Sequence, residues 1–403
     1  MSSFNCVTKR YDLNTDWEQR KLGEVTERIT RKNKNLESTL PLTISARDGL
    51  VDQNAFFNKQ VASKDISNYY LLRNGEFAYN KSYSKDYPWG AIKRLENYEM
   101  GVLSTLYIVF QTQNINSDFL VTYYDTNKWH KEISVRAAEG ARNHGLLNIA
   151  PVDFFETVLK IPNDFEEQNL IGLFLKKLDN TIALHLFKLE TLKKLKQGYL
   201  QVVFPENKYS IPYLRFANFS APWEQRKLGD LGSVAMNKRI FKEQTSEFGD
   251  IPFFKIGTFG GNPDAFISRK LYDEYKTKYA YPKIGDILIS ASGSIGKMVE
   301  YQGKDEYFQD SNIIWFKHDN RINNKFLKQF YLIVKWQGLE GSTIKRLYNR
   351  NVLSTIINIP SSLEEQKIVS TFLERLDNTI ALHQAKIEKL QRIKKSYLQK
   401  MFI

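Results

Sequence analysis

The sequence lacks the features of secreted and membrane-spanning proteins. Its 403 residues include one cysteine, Cys6, which excludes an internal disulfide and indicates a reducing compartment. No apolar run approaches the ~18 residues that a membrane span requires, and residues 1–30 are polar and charged, without the apolar core of a signal peptide. We therefore expect a cytoplasmic protein with no membrane partner.

The sequence also lacks the short motifs of common enzymes. It contains no G-x-S-x-G, H-E-x-x-H, C-x-x-C, Walker A or G-x-G-x-x-G pattern. The string nearest to the N-P-P-Y loop of amino-methyltransferases is Asn262-Pro263-Asp264, which has neither the second proline nor the aromatic residue. These absences favour a binding protein over an enzyme, and no ligand spacing indicates a metal site.

The chain contains one stretch twice. Leu178-Asp179-Asn180-Thr181-Ile182-Ala183-Leu184-His185 returns unchanged as Leu376-Asp377-Asn378-Thr379-Ile380-Ala381-Leu382-His383. The matching segments extend over 161–204 and 359–402, with Glu166-Glu167-Gln168 echoed by Glu364-Glu365-Gln366. Each lacks proline after its opening Ile-Pro and ends in lysines, which predicts one long helix per copy.

Apolar residues in both segments recur at alternating steps of four and three, the period of a coiled-coil seam. The predicted seam includes Leu178, Ile182, His185, Leu189, Leu376, Ile380, His383 and Ile387. Two helices with the same seam should pair, and about 38 residues give a rigid spacer of roughly 57 Å. We interpret His185 and His383 as paired seam residues rather than metal ligands, because no ligand cluster surrounds them.

The repeat includes the regions outside the helices. Trp17-Glu18-Gln19-Arg20-Lys21-Leu22-Gly23 recurs as Trp223-Glu224-Gln225-Arg226-Lys227-Leu228-Gly229. We predict an α+β protein with two mixed α/β domains, two long helices and a pseudo-twofold internal repeat. The predicted parts are domain 1 (1–160), a long helix (161–204), a linker (205–222), domain 2 (223–358) and a second long helix (359–403).

The two predicted domains share a rhythm but differ in sequence. Strands are expected near Phe77 and Ile287, each followed by a polar loop, and then at 104–110 and 312–316; the first domain has another strand-like run at 119–124. The chain carries a formal net charge of +13, most of it outside the long helices, which favours nucleic acid as a partner. The two domains match in sequence at their ends and differ between them, which indicates modules that bind different versions of one kind of target.

Three sets of residues are candidates for contacting DNA. The loop after Ile287 carries Ser292, Ser294 and Lys297; its glycine spacing fails the P-loop pattern, so it is either a plain turn or a contact to a phosphate backbone. The matching loop of the first domain mixes cations, hydroxyls and aromatics, and it is either a DNA contact or a solvated loop whose aromatics close the core. Its candidates are Lys81, Ser82, Tyr83, Lys85, Trp89, Lys93 and Arg94.

The third set precedes each long helix. Arginine reads guanine and asparagine reads adenine through bidentate hydrogen bonds, so these residues are candidates for specificity. The alternative is a basic face with no readout. The candidates are Arg136, Arg142, Asn143 and His144 in the first domain and Thr343, Lys345, Arg346, Tyr348, Asn349 and Arg350 in the second.

The segment before the second domain carries a further motif, Pro212-x-Leu214-Arg215-Phe216 with Phe219 and Trp223-Glu224. Together with the two Glu-Glu-Gln helices and the two dissimilar domains, this motif resembles the specificity subunit of type I restriction-modification systems. The resemblance implies two target recognition domains, each reading one half of a bipartite, asymmetric DNA sequence. It also implies that the helices pair as an antiparallel coiled coil, set the spacing between the half-sites and dock methyltransferase subunits.

The resemblance further implies that the chemistry resides in partner subunits. The expected partners are double-stranded DNA, two methyltransferase (modification) subunits and, in the full complex, two motor-nuclease (restriction) subunits. S-adenosylmethionine, ATP and Mg²⁺ are expected in those subunits, with no cofactor on this chain. The alternatives are a coiled-coil scaffold without sequence preference and a stand-alone DNA-modifying enzyme.

Overall fold

The computed structural model describes residues 17–45, 48–85, 87–137, 147–206, 209–336 and 346–402. The chain divides into two compact units. The first ends at His185 and resumes at Lys386, and the second runs from Leu186 to Ala385. Each unit therefore contains one mixed domain and a portion of both long helices.

Among its described residues, the first unit contains ten short strands and five short helices. The strands are β1 (Trp17–Lys21), β2 (Thr26–Ile29), β3 (Leu42–Ser45), β4 (Gly49–Asp52), β5 (Tyr70–Arg73), β6 (Phe77–Asn80), β7 (Ala91–Arg94), β8 (Met100–Leu103), β9 (Ile108–Thr112) and β10 (Val158–Pro162). The helices are α1 (Leu22–Val25), α2 (Gln53–Phe57), α3 (Ser117–Tyr124), α4 (His130–Arg136) and α5 (Pro151–Phe155). An antiparallel sheet of order β2-β9-β6-β7 forms its centre.

The second unit repeats that sheet. Its strands are β11 (Glu224–Lys227), β12 (Gly232–Ala235), β13 (Ile251–Phe254), β14 (Phe266–Ile267), β15 (Ile287–Ser290), β16 (Met298–Glu300), β17 (Tyr307–Phe308), β18 (Ile313–His318) and β19 (Ile356–Ile359), and its short helices are α7 (Arg269–Lys278), α8 (Asn324–Tyr331) and α9 (Asn349–Leu353). The antiparallel order β12-β18-β15-β16 matches the first unit strand for strand. The outer elements differ, since here β14-β13-β17 form a separate sheet.

The two long helices are uninterrupted, as the sequence predicts. In chain order they are α6 (Phe165–Val203) and α10 (Leu363–Met401), of 39 residues each. They pack antiparallel within each unit, because Phe174 meets Tyr397 and Asp179 meets Lys394 in the first, while Lys196 meets Asp377 and Tyr199 meets Phe372 in the second. The predicted fold class is confirmed.

The predicted seam residues lie on the side of each long helix that contacts the other helix. Ile182, Leu189 and Ile387 are buried, whereas Leu178, His185, Leu376, Ile380 and His383 are half-buried. Outward residues between them, such as Leu184 and Leu382, are 51% and 71% exposed. Lys196 and Lys394 also fall on the seam, and each pairs with an aspartate of the repeated octapeptide on the opposite helix.

The repeated tryptophan motif joins each domain to its long helix. The strand that begins at Trp17 pairs with β10, and β11, which follows Trp223, pairs with β19. The Trp17 Nε1–H donates to Glu167 at 3.2 Å, and the Trp223 Nε1–H donates to Glu365 at 3.0 Å. The recurrence in sequence therefore reflects one anchoring contact used twice.

The repeated glutamine has an equally specific task. The Gln168 side chain accepts from the Asn116 N–H at 2.9 Å and donates to the Pro162 carbonyl at 2.8 Å. Gln366 does the same with Asn323 and Pro360, at 2.8 and 3.0 Å. Because the two asparagines are the N-caps of α3 and α8, each glutamine ties a short helix to the start of a long one.

Aromatic residues at the ends of the long helices complete both cores. Phe402 packs against Trp17 and Phe119 in the first unit, with ring centroids 6.1 and 5.5 Å apart. Phe204 packs against Trp223 and Phe326 in the second, at 6.1 and 5.1 Å. Buried aromatic clusters of this kind contribute both apolar area and edge-to-face contacts.

The prediction of a strand at 119–124 is wrong. These residues lie in α3, whose N-terminus is capped by the Asn116 side chain accepting from the Phe119 N–H at 2.9 Å. Phe119, Leu120 and Tyr123 are spaced to bury one helical face. High β propensity was overridden because this face packs against the core. In addition, β10 spans the predicted boundary at residue 160, and β19 spans the one at 358.

Candidate nucleic-acid interface

In each domain, one candidate loop contacts the segment that precedes a short helix. The loop follows β6 in the first domain and β15 in the second, and the short helix is α5 or α9. In the second unit, Ser292 and Arg346 form an antiparallel bridge, and the Leu347 N–H donates to the Ala291 carbonyl at 2.8 Å. In the first unit, the Leu147 N–H donates to the Lys81 carbonyl at 2.9 Å. Each domain thus joins the loop that follows its third sheet strand to the segment before α5 or α9.

Asn312 fixes this junction in the second unit. Its Oδ1 atom accepts from the Ser292 hydroxyl at 2.8 Å and from Arg346 Nη2 at 3.2 Å. The Arg346 guanidinium also reaches the Ser311 hydroxyl at 3.5 Å. Because one oxygen holds both a buried serine and the guanidinium, Arg346 is positioned beside the loop, and its Nε and Nη1 groups make no hydrogen bond to any of the described residues.

The loop itself is held as a tight turn. Gly293 and Gly296 have φ values of 65° and 85°, a region that glycine adopts without a steric penalty. The Ser290 hydroxyl donates to the Ser294 carbonyl at 2.5 Å and accepts from the Lys297 N–H at 2.9 Å. The Lys297 ammonium contacts the Phe259 carbonyl, which favours the interpretation of that lysine as part of the turn. Ser294 is exposed.

Three further candidates of the second unit lie at the start of α9. Tyr348, Asn349 and Arg350 are exposed, and the Arg350 guanidinium lies 5.6 Å from the centre of the Tyr348 ring. Tyr348 also donates its N–H to the Asn351 side chain at 2.9 Å, which fixes the first turn of the helix. Thr343 and Lys345 lie outside the described residues.

In the first unit the loop candidates divide into exposed and packed residues. Ser82 and Lys85 are exposed, whereas Tyr83 and Trp89 pack against the aromatic core. Lys81 is half-buried, and this burial lowers the pKa of its ammonium. The packed aromatics match the alternative in which part of this loop closes the core. Arg142, Asn143 and His144 lie outside the described residues.

The other cations of the first unit are engaged within the domain. Lys93 pairs with Asp125 at 2.9 Å, and Arg136 pairs with Glu132 at 2.5 Å. Arg94 is only 10% exposed and pairs with Asp118 at 2.6 Å. These contacts favour a structural role for all three.

Ion pairs shift the pKa values of the two aspartates. Burial alone would raise the pKa of the Asp118 carboxyl, but Arg94 and Lys176 outweigh it and bring the pKa below its ordinary value. Burial also opposes ionisation of Asp125, and there Lys93 and Lys394 bring the pKa below its ordinary value. Both carboxylates therefore favour the folded state at neutral pH.

No metal centre is found in the part of the chain that the structure describes. Clusters of three or more histidine, cysteine, aspartate or glutamate side chains suited to a metal ion are absent among those residues. Within the same residues, none of the helices is long and apolar enough to cross a membrane.

Comparisons with known proteins agree with this architecture. Residues 221–392 match the family described as the type I restriction modification DNA specificity domain. A putative type I restriction enzyme specificity subunit from Haemophilus influenzae is 55% identical over 157 residues, which are 38% of this chain and 41% of that protein. The chain is therefore similar to the specificity subunits of type I restriction-modification systems. The match spans only about two fifths of the Haemophilus relative's length.

More distant relatives cover nearly the whole chain. A putative type I restriction enzyme specificity subunit from Methanocaldococcus jannaschii is 23% identical over 96% of this chain and 93% of its own length. The crystal structure of the type I restriction-modification S subunit from M. genitalium superposes with a TM-score of 0.63 and 14% identity, over 98% of both chains, and supports the fold. These relatives are named specificity subunits, which agrees with the prediction of a recognition subunit rather than a catalytic one.

Sequence reasoning missed Asn312, Asp118 and Asp125. Asn312 is the first residue of the strand predicted at 312–316, but in the structure it directly precedes β18 and follows Ser311, whose φ of 55° lies in the left-handed region. Asp118 lies in α3 and Asp125 directly follows it, in the region where a strand was predicted. Their signal, a capping asparagine followed by an acidic residue, is present in the sequence as Asn116-Ser117-Asp118.

Proposed function

We propose that this chain reads a bipartite, asymmetric DNA target, with one domain on each half-site. One observation carries the proposal. Both units have the same loop junction at the equivalent position of equivalent sheets, but the side chains at the junction differ. Ser292, Asn312 and Arg346 occupy it in the second unit, whereas Lys81 and Ser82 occupy it in the first. A shared frame with different polar groups is suited to reading two different sequences.

The DNA-contacting groups in this proposal form two sets. Arg346 is the main candidate for a base contact, because its guanidinium is held by Asn312 and its Nε and Nη1 groups have no partner in the part of the chain that the structure describes. Exposed Ser82, Lys85, Ser294, Asn349 and Arg350 are candidates for phosphate contacts, which supply affinity without sequence information. The net charge of +13 supports a polyanionic ligand.

The helix pair acts in this proposal as a spacer and as a docking surface for partner subunits. The exposed residues of the repeated octapeptide are the same in both copies, namely Asn180, Ala183 and Leu184 in α6 and Asn378, Ala381 and Leu382 in α10. Internal packing does not require identity at exposed positions, and most other exposed pairs differ, for example Leu186 and Gln384. We infer two equivalent patches for two copies of one methyltransferase subunit.

Catalysis then belongs to the partners. S-adenosylmethionine would be bound by the methyltransferase subunits, and ATP with Mg²⁺ by two motor-nuclease subunits of the full complex. This chain would supply the address on the DNA and bind none of these cofactors.

Selection from a randomised DNA pool tests the proposal. The purified complex of this chain with a type I methyltransferase subunit is expected to enrich one split motif with a fixed gap, and the methyltransferase subunit alone is expected to enrich none. DNA binding that enriches no sequence would instead identify a scaffold that binds partners through the exposed apolar positions of its helices. Methylation by this chain alone would identify a stand-alone enzyme.

A further inference from the structure

Each domain is joined to its long helix by a set of three charged residues at matched positions. Asp118 and Lys325 lie at the same distance after the capping residues of α3 and α8. Lys176 and Glu374 follow the repeated glutamines of α6 and α10 at the same spacing. Arg94 and Glu300 end the fourth sheet strand and stand opposite the matched residues Phe77 and Ile287.

In the first unit the central charge of the set is negative. Asp118 accepts from Arg94 at 2.6 Å and from Lys176 at 3.0 Å through both of its oxygens. Arg94 is further held by the Ser117 hydroxyl at 2.7 Å. The Asp118 side chain is 27% exposed, so its ion pairs are partly shielded from solvent.

In the second unit every sign is reversed. Lys325 is the central residue and donates to Glu374 at 2.8 Å. Glu300 adds to the negative field at Lys325, and together these carboxylates raise the pKa of the lysine. Glu300 also pairs with Lys328 at 2.8 Å. The signs are therefore plus, minus, plus in the first unit and minus, plus, minus in the second.

Because the other contacts between domain and helix are the same in both units, the reversed charges distinguish the two units. The tryptophan, glutamate and glutamine anchors are the same in both units, so they fit either domain onto either long helix. A domain moved to the other position in the chain would place Asp118 against Glu374 or Lys325 against Lys176. Like charges in contact are unfavourable, and they discriminate where the shared anchors cannot.

We propose that the sign-reversed sets, Arg94-Asp118-Lys176 and Glu300-Lys325-Glu374, form a docking code that assigns each domain to its own long helix. In the natural chain the short links from β10 to α6 and from β19 to α10 already fix which helix each domain docks on, so the code acts on domains that are exchanged between the two positions. A transplanted domain is expected to be more stable when the second residue of its α3 or α8 helix has a charge opposite to that of residue 176 or 374 on the long helix.

A domain transplant tests the code through the sign of the change in Tm that Lys176→Glu causes. In the natural chain, Lys176→Glu removes a pair with Asp118 and creates a repulsion, so the Tm of the first unit is expected to fall by about 2–4 °C. In a hybrid chain that carries the second domain (residues 223–358) in place of residues 17–160, the same substitution faces Lys325. There it is expected to raise the Tm by a similar amount. A change of the same sign in both chains would overturn the proposal.

A mutant cycle in the natural chain keeps the proposal testable if the hybrid does not fold. Asp118→Lys and Lys176→Glu are each expected to lower the Tm, and the double variant is expected to lose less than the two single shifts combined. Additive shifts would overturn the code.

Lys177→Glu is the matched control, because Lys177 is the next residue on the same helix and makes no ion pair among the described residues. Its effect should be near zero in both chains. At about 1 M salt, where the Debye length is near 3 Å, the opposite effects of Lys176→Glu in the natural and hybrid chains should converge. Persistence of the full difference at that salt would also contradict an electrostatic code.

Discussion

Replacing Arg346 should relax the sequence preference at one position of one half-site. The guanidinium is held 3.2 Å from Asn312 Oδ1, which leaves its other N–H groups directed away from that contact. A bidentate contact from arginine to a base contributes ~1–3 kcal/mol of discrimination, or roughly 5- to 150-fold between bases. Lysine keeps the charge but cannot form the planar pair, so Arg346→Lys should retain affinity for DNA and lose most of this discrimination.

Asn312→Ala tests the same contact from the other side. It removes the acceptor shared by Arg346 and the Ser292 hydroxyl. A hydrogen bond to a charged group contributes about 1.5 kcal/mol or more, so loss of the bond that positions the guanidinium should reduce discrimination roughly tenfold at the same base position. Both variants are expected to affect one position only, since the guanidinium has one location.

The assay is the methylation rate of the assembled complex on targets altered at each position of each half-site. Arg321→Lys is the matched control, because Arg321 belongs to the same unit and pairs instead with Asp319 at 2.8 Å. The control should leave the preference unchanged at all positions. Equal loss of rate on every target after Arg346→Lys would refute the assignment, since a phosphate contact weakens all sequences alike.

Three further predictions follow from the spacer, the domain frame and the ion pairs. Removing one heptad from both α6 and α10 shortens each helix by about 10.5 Å, so the gap should shrink by about 3 base pairs while the half-sites stay the same; an unchanged gap in methylation maps would contradict the spacer. Exchanging residues 24–160 for the matching region of a related chain should alter one half-site, and a change in both would argue against independent domains. Because Asp118 and Asp125 have lowered pKa values, their stabilisation is present at neutral pH and lost as the pH falls below about 4; Asp125→Asn should therefore flatten the acid limb of the unfolding curve, and an unchanged limb would contradict this.

Much of the architecture could be predicted because the repeat exposes it. The identical octapeptides, the four-three spacing and the paired tryptophan motifs each recur, so two copies confirm one interpretation. The long helices span 39 residues each without a break, as expected from a proline-free segment with a continuous seam. The central strands near Phe77 and Ile287 were also marked by a glycine and an acidic residue before an apolar run.

The interface could be predicted only in part, because its geometry depends on contacts between distant residues. Arg346 and Ser292 were candidates from composition, but their meeting through Asn312 follows from strand pairing that one sequence does not specify. Arg94 and Lys93 are candidate DNA contacts by composition, but Arg94 pairs with Asp118 in α3 and Lys93 pairs with Asp125 at the end of that helix, where a strand was predicted. A charge in a loop reveals its role only when its partner is known.

The most direct test of the central claim is methylation mapping of DNA from cells that express this chain together with a type I methyltransferase subunit. The account predicts one split motif, modified in both halves, with a constant gap, and no such motif in cells that express the methyltransferase subunit alone. Absence of any modified motif, despite a stable complex with a methyltransferase subunit that is active on its own specificity chain, would contradict the claim that this chain addresses methylation to a bipartite sequence.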